Sequence, residues 1–301
     1  MKLAPVLILL GVLPCTFVHA EFKPDIEYGR AGDTTLRLDA NVPAGPGPFP
    51  VVILVHGGGW AGGDKKDMRL LADPLVESNF VTFSINYRLA PTNRWPACFE
   101  DVQTAIRWVK AHATEYKGDS KHIALIGYSA GGQLVCLAAV LPGSHTSVQA
   151  VVGCAAPTDM LADNRRRGAL SKSCQDLLNR PPQIDAETEQ WLSEISPINF
   201  IHSRSVLNGL THFSLNGPTN FTRPGLPPFL LIHGTEDKSV PYDQSINFQA
   251  KLKENGVACD LVTVKGAGHR ISDWPKFEPA YKEEMINWLS RVLGGVPTTQ
   301  R

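Results

Sequence analysis

Three short segments carry side chains whose types and spacing suit acyl transfer through a serine. Gly127-Tyr128-Ser129-Ala130-Gly131 sets a hydroxyl between two glycines, after the apolar run Ile123 to Ile126 and before a helical pattern. A G-x-S-x-G turn between strand and helix holds its serine in a strained, exposed position. A Cβ at either glycine would meet neighbouring backbone, and the following helix N-terminus brings partial positive charge to the reacting centre. Asp237 lies in His233-Gly234-Thr235-Glu236-Asp237 and His269 in Gly266-Ala267-Gly268-His269. Each follows an apolar strand-like run, Phe229 to Ile232 and Leu261 to Val264. Loops at the carboxyl ends of parallel strands are where such sheets gather reacting groups. In the order serine, acid, histidine, His269 would take the Ser129 proton and return it to a leaving group. Asp237 would fix the imidazole tautomer and stabilise the imidazolium. Asp159 also follows a strand-like run and is the main rival acid, ahead of Glu236 and Asp243. Chain order favours Asp237.

A glycine run supplies the complementary half of such a site. The run Val51 to Val55 ends in His56-Gly57-Gly58-Gly59-Trp60. Glycines there leave backbone N–H groups unobstructed for the oxygen that gains charge in a tetrahedral intermediate. The expected donors are Gly58 and Ala130, with Gly59 as a third, and one such donor typically contributes ~2.7–4 kcal/mol to transition-state stabilisation. His56 is expected to pin this loop rather than serve as a base or metal ligand. The sequence contains no H-E-x-x-H, paired C-x-x-C or Asp-rich calcium loop, so no metal is expected, and no dinucleotide cofactor is expected either. Lys plus Arg equals Asp plus Glu, at 29 each, so no bulk field recruits nucleic acid.

The elements that must position these residues follow from hydrophobic periodicity. Strand-like runs at Val51 to Val55, Val81 to Asn86, Ile123 to Ile126, Ala150 to Cys154, Phe229 to Ile232 and Leu261 to Val264 alternate with helical patterns. The helical patterns are Met68 to Glu77, Cys98 to Tyr116, Gly131 to Ala139, Gln244 to Asn255 and Glu278 to Leu293. That alternation predicts an α/β fold around a mostly parallel sheet with helices on both faces. Val102, Ala105, Ile106 and Val109 recur at helical spacing and should face the sheet. Thr34 to Asn41 alternates as a half-buried antiparallel edge strand would. Met160 to Pro227, with Arg165-Arg166-Arg167 and Pro181-Pro182 and no clear strand, predicts an excursion over one end of the sheet.

The N-terminus reads as a secretory signal: Lys2, the apolar run Val6 to Leu13, and small residues at Val18-His19-Ala20 for cleavage after Ala20. The run is shorter than the roughly 20 residues a membrane span needs, and Pro14 before Cys15 argues against a lipoprotein. Residues 21–301 then form one catalytic domain, with 160–227 as a cap-like insertion, in a secreted or periplasmic protein. Cys98, Cys136, Cys154, Cys174 and Cys259 remain, an odd number without a disulfide framework. One bridge, Cys98 to Cys174, is open to an oxidising compartment.

With these residues laid out, the chain resembles the secreted bacterial esterase/lipase branch of the α/β-hydrolase superfamily, near feruloyl-esterase-like and acetyl-xylan-esterase-like enzymes. The resemblance rests on HGGGWAGGDK at His56 to Lys65, NYRLAP at Asn86 to Pro91, Asp101 and GYSAGG at Gly127 to Gly132. SPI at Ser196 to Ile198, HGTEDKSVP at His233 to Pro241 and GAGH at Gly266 to His269 extend it. It implies the α/β-hydrolase fold and ester hydrolysis through an acyl-enzyme without cofactor. The expected substrates are short or aromatic acyl esters, small or polysaccharide-linked. Arg88 and Asp101 match positions that look structural in the family. Aryl-formamide or peptide hydrolysis would use the same triad, and a catalytically dead binding protein would need to have lost one of its members.

Overall fold

The computed structural model describes residues 19–201 and 225–294. Eight strands form one sheet: β1 Glu21–Ala31, β2 Thr34–Val42, β3 Phe49–Val55, β4 Val81–Ile85, β5 Gly118–Tyr128, β6 Ala150–Cys154, β7 Phe229–Gly234 and β8 Cys259–Val264. Their order is β1-β2-β4-β3-β5-β6-β7-β8. β1 and β2 join antiparallel, and every pairing from β4 to β8 is parallel. The helices are α1 Arg69–Glu77, α2 Ala97–His112, α3 Ala130–Val140, α4 Met160–Arg167, α5 Lys172–Leu178, α6 Ala186–Glu194, α7 Asp243–Glu254 and α8 Tyr281–Leu293.

The sheet is covered on both faces, which explains why its central strands are apolar along their whole length. Val51, Ile53 and Val55 of β3 pack on the face that carries Val102, Ala105, Ile106 and Val109 of α2. Val52 and Leu54 point the other way, into the cluster holding Leu71 and Leu75 of α1 and Trp288 and Leu289 of α8. α3 sits against the middle of the sheet with all eleven residues buried. Among the described residues, no helix is long and apolar enough to cross a membrane.

One expectation changes on contact with the structure, and two open points gain an answer. Thr34 to Asn41 is antiparallel but is not the edge, because β1 lies outside it. β1 escaped the period-2 pattern because its pairing slips between Lys23 and Ile26 and again between Glu27 and Gly29, and a bulge resets which residues share a face. The described part of the stretch from Met160 holds three helices, α4, α5 and α6. The cysteines Cys98 and Cys174 are both free and buried, as are Cys136, Cys154 and Cys259, so the 98–174 bridge is not formed. The expected signal segment lies outside the described residues except for His19 and Ala20, and residues 202–224 of the expected insertion lie outside them as well.

A buried ion pair ties the antiparallel end of the sheet to the chain leaving the glycine run. Lys65 Nζ lies 2.6 Å from Asp39 Oδ1 on β2 and 3.0 Å from Asp25 on β1. The Lys65 and Asp39 side chains are 4% and 6% exposed. Asn86 accepts from the Lys65 amide at 2.6 Å and donates to Asp64 at 3.0 Å, which joins the end of β4 to the same turn. Removing one partner of a buried pair strands the other charge. Lys65→Ala is therefore expected to cost about 3–5 kcal/mol, the range for breaking a buried pair. Urea unfolding against the parent protein measures it, and a loss near zero would mean that water already reaches Asp39.

Candidate active site

Strand β5 and helix α3 leave no room for an ordinary turn between them. Ser129 joins them at φ 53°, ψ −120°, in the positive-φ region that non-glycine residues seldom occupy. Its amide donates to Cys154 O at the end of β6, 2.8 Å away. A Cβ on Gly127 would collide with the Gly131 carbonyl, and one on Gly131 with the carbonyls of Val55 and His56. The elbow and the glycine run therefore interlock backbone to backbone. Gly57 lies so close over the elbow that a Cβ there would come within 3.1 Å of Ser129 Cβ. Gly58 and Gly59 follow with φ of +112° and +60°, a path that only glycine takes without strain. Gly58 O accepts from the Gly62 amide at 3.0 Å, which closes the turn.

The loops after β7 and β8 bring the other two groups to Ser129. His269 Nε2 lies 2.9 Å from Ser129 Oγ, and its Nδ1 lies 2.7 Å from Asp237 Oδ2. Nδ1 faces a carboxylate and therefore carries the proton, so Nε2 is left to accept from the serine hydroxyl. Asp237 Oδ1 accepts from the amides of Ser239 and Val240 at 2.8 and 2.9 Å. Burial alone would raise the Asp237 carboxyl, but the adjoining His233 and His269 and the Val240 amide outweigh it and hold the group well below the usual carboxylate range. The histidine loop is fixed at two points. Tyr128 donates to His269 O at 2.8 Å, and the Trp274 indole N–H donates to Gly268 O at 2.9 Å.

The rival acids sit elsewhere. Asp159 is the N-cap of α4 and accepts from the Ala162 amide at 2.9 Å. Glu236 is exposed beside Lys238, and Asp243 opens α7. His56 is buried, stacks on Tyr87 with ring centroids 4.3 Å apart, and donates from Nδ1 to Gly57 O at 2.7 Å. Burial depresses its pKa, which suits a neutral ring. Arg88 grips Asp101 through its Nε and Nη2, with contacts of 2.7–3.0 Å. Among the described residues, no group of three or more His, Cys, Asp or Glu is arranged to hold a metal ion.

Sequence reading missed the side chains that lock these loops together. Gln133 on α3 is fully buried; its carbonyl accepts from the Trp60 indole at 3.0 Å and its amide donates to Ile195 O at 2.7 Å. Gln244 on α7 accepts from the amides of Thr158 and Asp159 at 2.9 and 2.7 Å. Arg167 at the end of α4 donates to Ser239 O in the Asp237 loop at 2.5 Å. On the other side of the site, a Cβ on Gly59 would come within 2.6 Å of Ser173 Oγ, so α5 lies over the glycine run.

The BD-FAE family model matches residues 38–214 and 204–252, which take in β2 to β7, the elbow and Asp237. The chain belongs to the BD-FAE family of α/β hydrolases. This BD-FAE chain is 33% identical to the probable carboxylic ester hydrolase LipM of Mycobacterium tuberculosis, over 76% of its own length and 50% of LipM. It spans about half the length of the curated relatives it matches first. Among solved structures it is similar to a bifunctional GH43-CE protein of Bacteroides eggerthii, with a TM-score of 0.73 and 25% identity. That match covers 91% of this chain and 35% of the other. A truncated carbohydrate esterase from gut microbiota shares the fold, with a TM-score of 0.68 and 23% identity over 93% and 99% of the two chains.

The interlocked elbow gives a direct test of this packing. Gly127→Ala meets backbone rather than a movable side chain, so it is expected to cost about 3 kcal/mol or more, the upper end of overpacking penalties. Thermal and urea unfolding would read the loss; a variant as stable as the parent would show that the elbow has slack.

Proposed function

We propose that this chain is a serine esterase that hydrolyses carboxylic esters through an acyl-enzyme. The observation that carries the reading is the hydrogen-bonded series from Ser129 Oγ to His269 at 2.9 Å and from His269 to Asp237 at 2.7 Å. Ser129 Oγ attacks the ester carbonyl while His269 Nε2 takes its proton. The oxyanion accepts hydrogen bonds from the amides of Gly58 and Ala130, with Gly59 as a third donor. Collapse expels the alcohol, which leaves with the proton from His269. Water then repeats the attack on the acyl-enzyme and releases the acid and free Ser129. Asp237, ionised throughout, stabilises each imidazolium.

The substrate class is part of the proposal: short or aromatic acyl esters, small or attached to polysaccharide. Similarity to a protein named a probable carboxylic ester hydrolase and to one named a bifunctional GH43-CE protein supports it. Residues 21–301 are proposed to form one catalytic domain, with 160–227 as a cap over the strand ends. The contacts of α5 with Gly59 and of Arg167 with the Asp237 loop support that placement. Cleavage after Ala20 and export are proposed from the sequence pattern, and the start of β1 at Glu21 is compatible with them.

Ser129→Ala should abolish hydrolysis of nitrophenyl acetate and labelling by a fluorophosphonate while leaving circular dichroism unchanged. Turnover near the parent rate would end the serine-esterase reading.

The acid has its own test. Asp237→Asn should hold the imidazole in the wrong tautomer and lower turnover by on the order of 10⁴, as in other triads. Asp159→Asn keeps a side-chain oxygen that can cap α4 and should change stability and turnover little. The reverse ranking, read on one activated ester, would move the triad acid to the loop after β6.

A further inference from the structure

A second imidazole lies behind the triad acid. His233, at the carboxyl end of β7, is fully buried. Its Nδ1 is 2.7 Å from Ser245 Oγ on the first turn of α7, and its Nε2 is 2.9 Å from Val240 O. The same Nε2 is 3.3 Å from Asp237 Oδ2, the oxygen that His269 holds. Both neighbours of Nε2 are pure acceptors, so Nε2 carries a proton, and the Ser245 hydroxyl is placed to donate to Nδ1. The Val240 peptide is thereby gripped from two sides. Its amide donates to Asp237 Oδ1 and its carbonyl accepts from His233.

We propose that His233 is a positioning residue for the triad, a role that rests on the esterase reading above. It fixes the rotation of the Asp237 carboxylate through the Val240 peptide. It also aims an N–H dipole at the oxygen that receives His269.

The Nε2–H bond restricts how the Asp237 carboxylate can turn and leaves Oδ2 facing His269 Nδ1. Other polar and charged groups face the same cluster. Tyr242, just before α7, has its ring at right angles to that of His233 at 5.7 Å, and Tyr128 donates to His269 O. Arg167 of α4 donates to Ser239 O, and the exposed Lys238 and Glu236 pair on the acid loop.

The test compares His233→Leu, which fills volume without a donor, with His233→Gln, whose amide can occupy the place of Nε2. The kcat/KM for nitrophenyl acetate and the low-field proton resonance of the His269 Nδ1–H are read on both. His233→Leu should displace the resonance. It should also lower kcat/KM on the order of tenfold, below the hundredfold that an ångström of misplacement costs. His233→Gln should restore most of each. If His233→Leu does not fold, nitrogen NMR of the parent protein decides: His233 must be protonated at Nε2, with Nδ1 accepting from Ser245. An Nδ1–H, Nε2-bare tautomer overturns the proposal. So does a Ser129-dependent enzyme whose His233→Leu variant keeps the parent resonance and kcat/KM, or a His233→Gln variant as impaired as His233→Leu. A parent protein without esterase activity sinks the esterase reading first, and this role with it.

Discussion

Everything around Ser129 depends on backbone approaching backbone where no side chain fits. Gly127 rests against the Gly131 carbonyl, and Gly131 against the carbonyls of Val55 and His56. These contacts bring the ends of β3 and β5 and the start of α3 into one rigid knot. The strained Ser129 backbone is held there by its bond to Cys154 O on β6. Three adjacent strands therefore fix the serine before any loop contributes. Strain of this size persists only where the surroundings over-determine it, and here the surroundings are the middle of the sheet.

The histidine and the acid come from further along the sheet, and their loops are less constrained by packing. Polar contacts supply the missing rigidity. Asp237 has two amide donors on one oxygen and an imidazole on the other. The His269 loop is held by Tyr128 and Trp274. Since Tyr128 is the residue before the serine, the elbow and the histidine loop are coupled through one hydroxyl. The order of construction runs from backbone contact at Ser129 to hydrogen bonds at His269 and Asp237.

That division explains which parts could be read from sequence. Ser129, Asp237, His269 and the glycine run each sit in a local pattern, a strand followed by a turn of defined composition, so neighbours along the chain reveal them. Gln133, Gln244 and Arg167 have no such pattern. The partners of Gln133 lie 62 and 73 residues away, and those of Gln244 lie 85 and 86 away, so only the folded chain gives them meaning. β1 was hidden by its register shifts. The helices α4 to α6 do carry signals: Asp159, Ser171 and Asp185 are N-caps whose side chains accept backbone amides, and Gly168 and Asn179 end α4 and α5 in the left-handed region. Hydrophobic periodicity does not register them because the segment between these caps is too polar.

The buried amide of Gln133 has a consequence for how such a protein could diversify. One side of it holds the indole that follows the glycine run, and the other holds the carbonyl where α6 ends. An insertion of different length or sequence could replace α4 to α6 only if it again delivered an acceptor to that amide. A buried donor left unmet costs about 1–3 kcal/mol. New specificities drawn from this scaffold would therefore be selected at their exit point, near Ile195, as much as at the surface that meets a substrate.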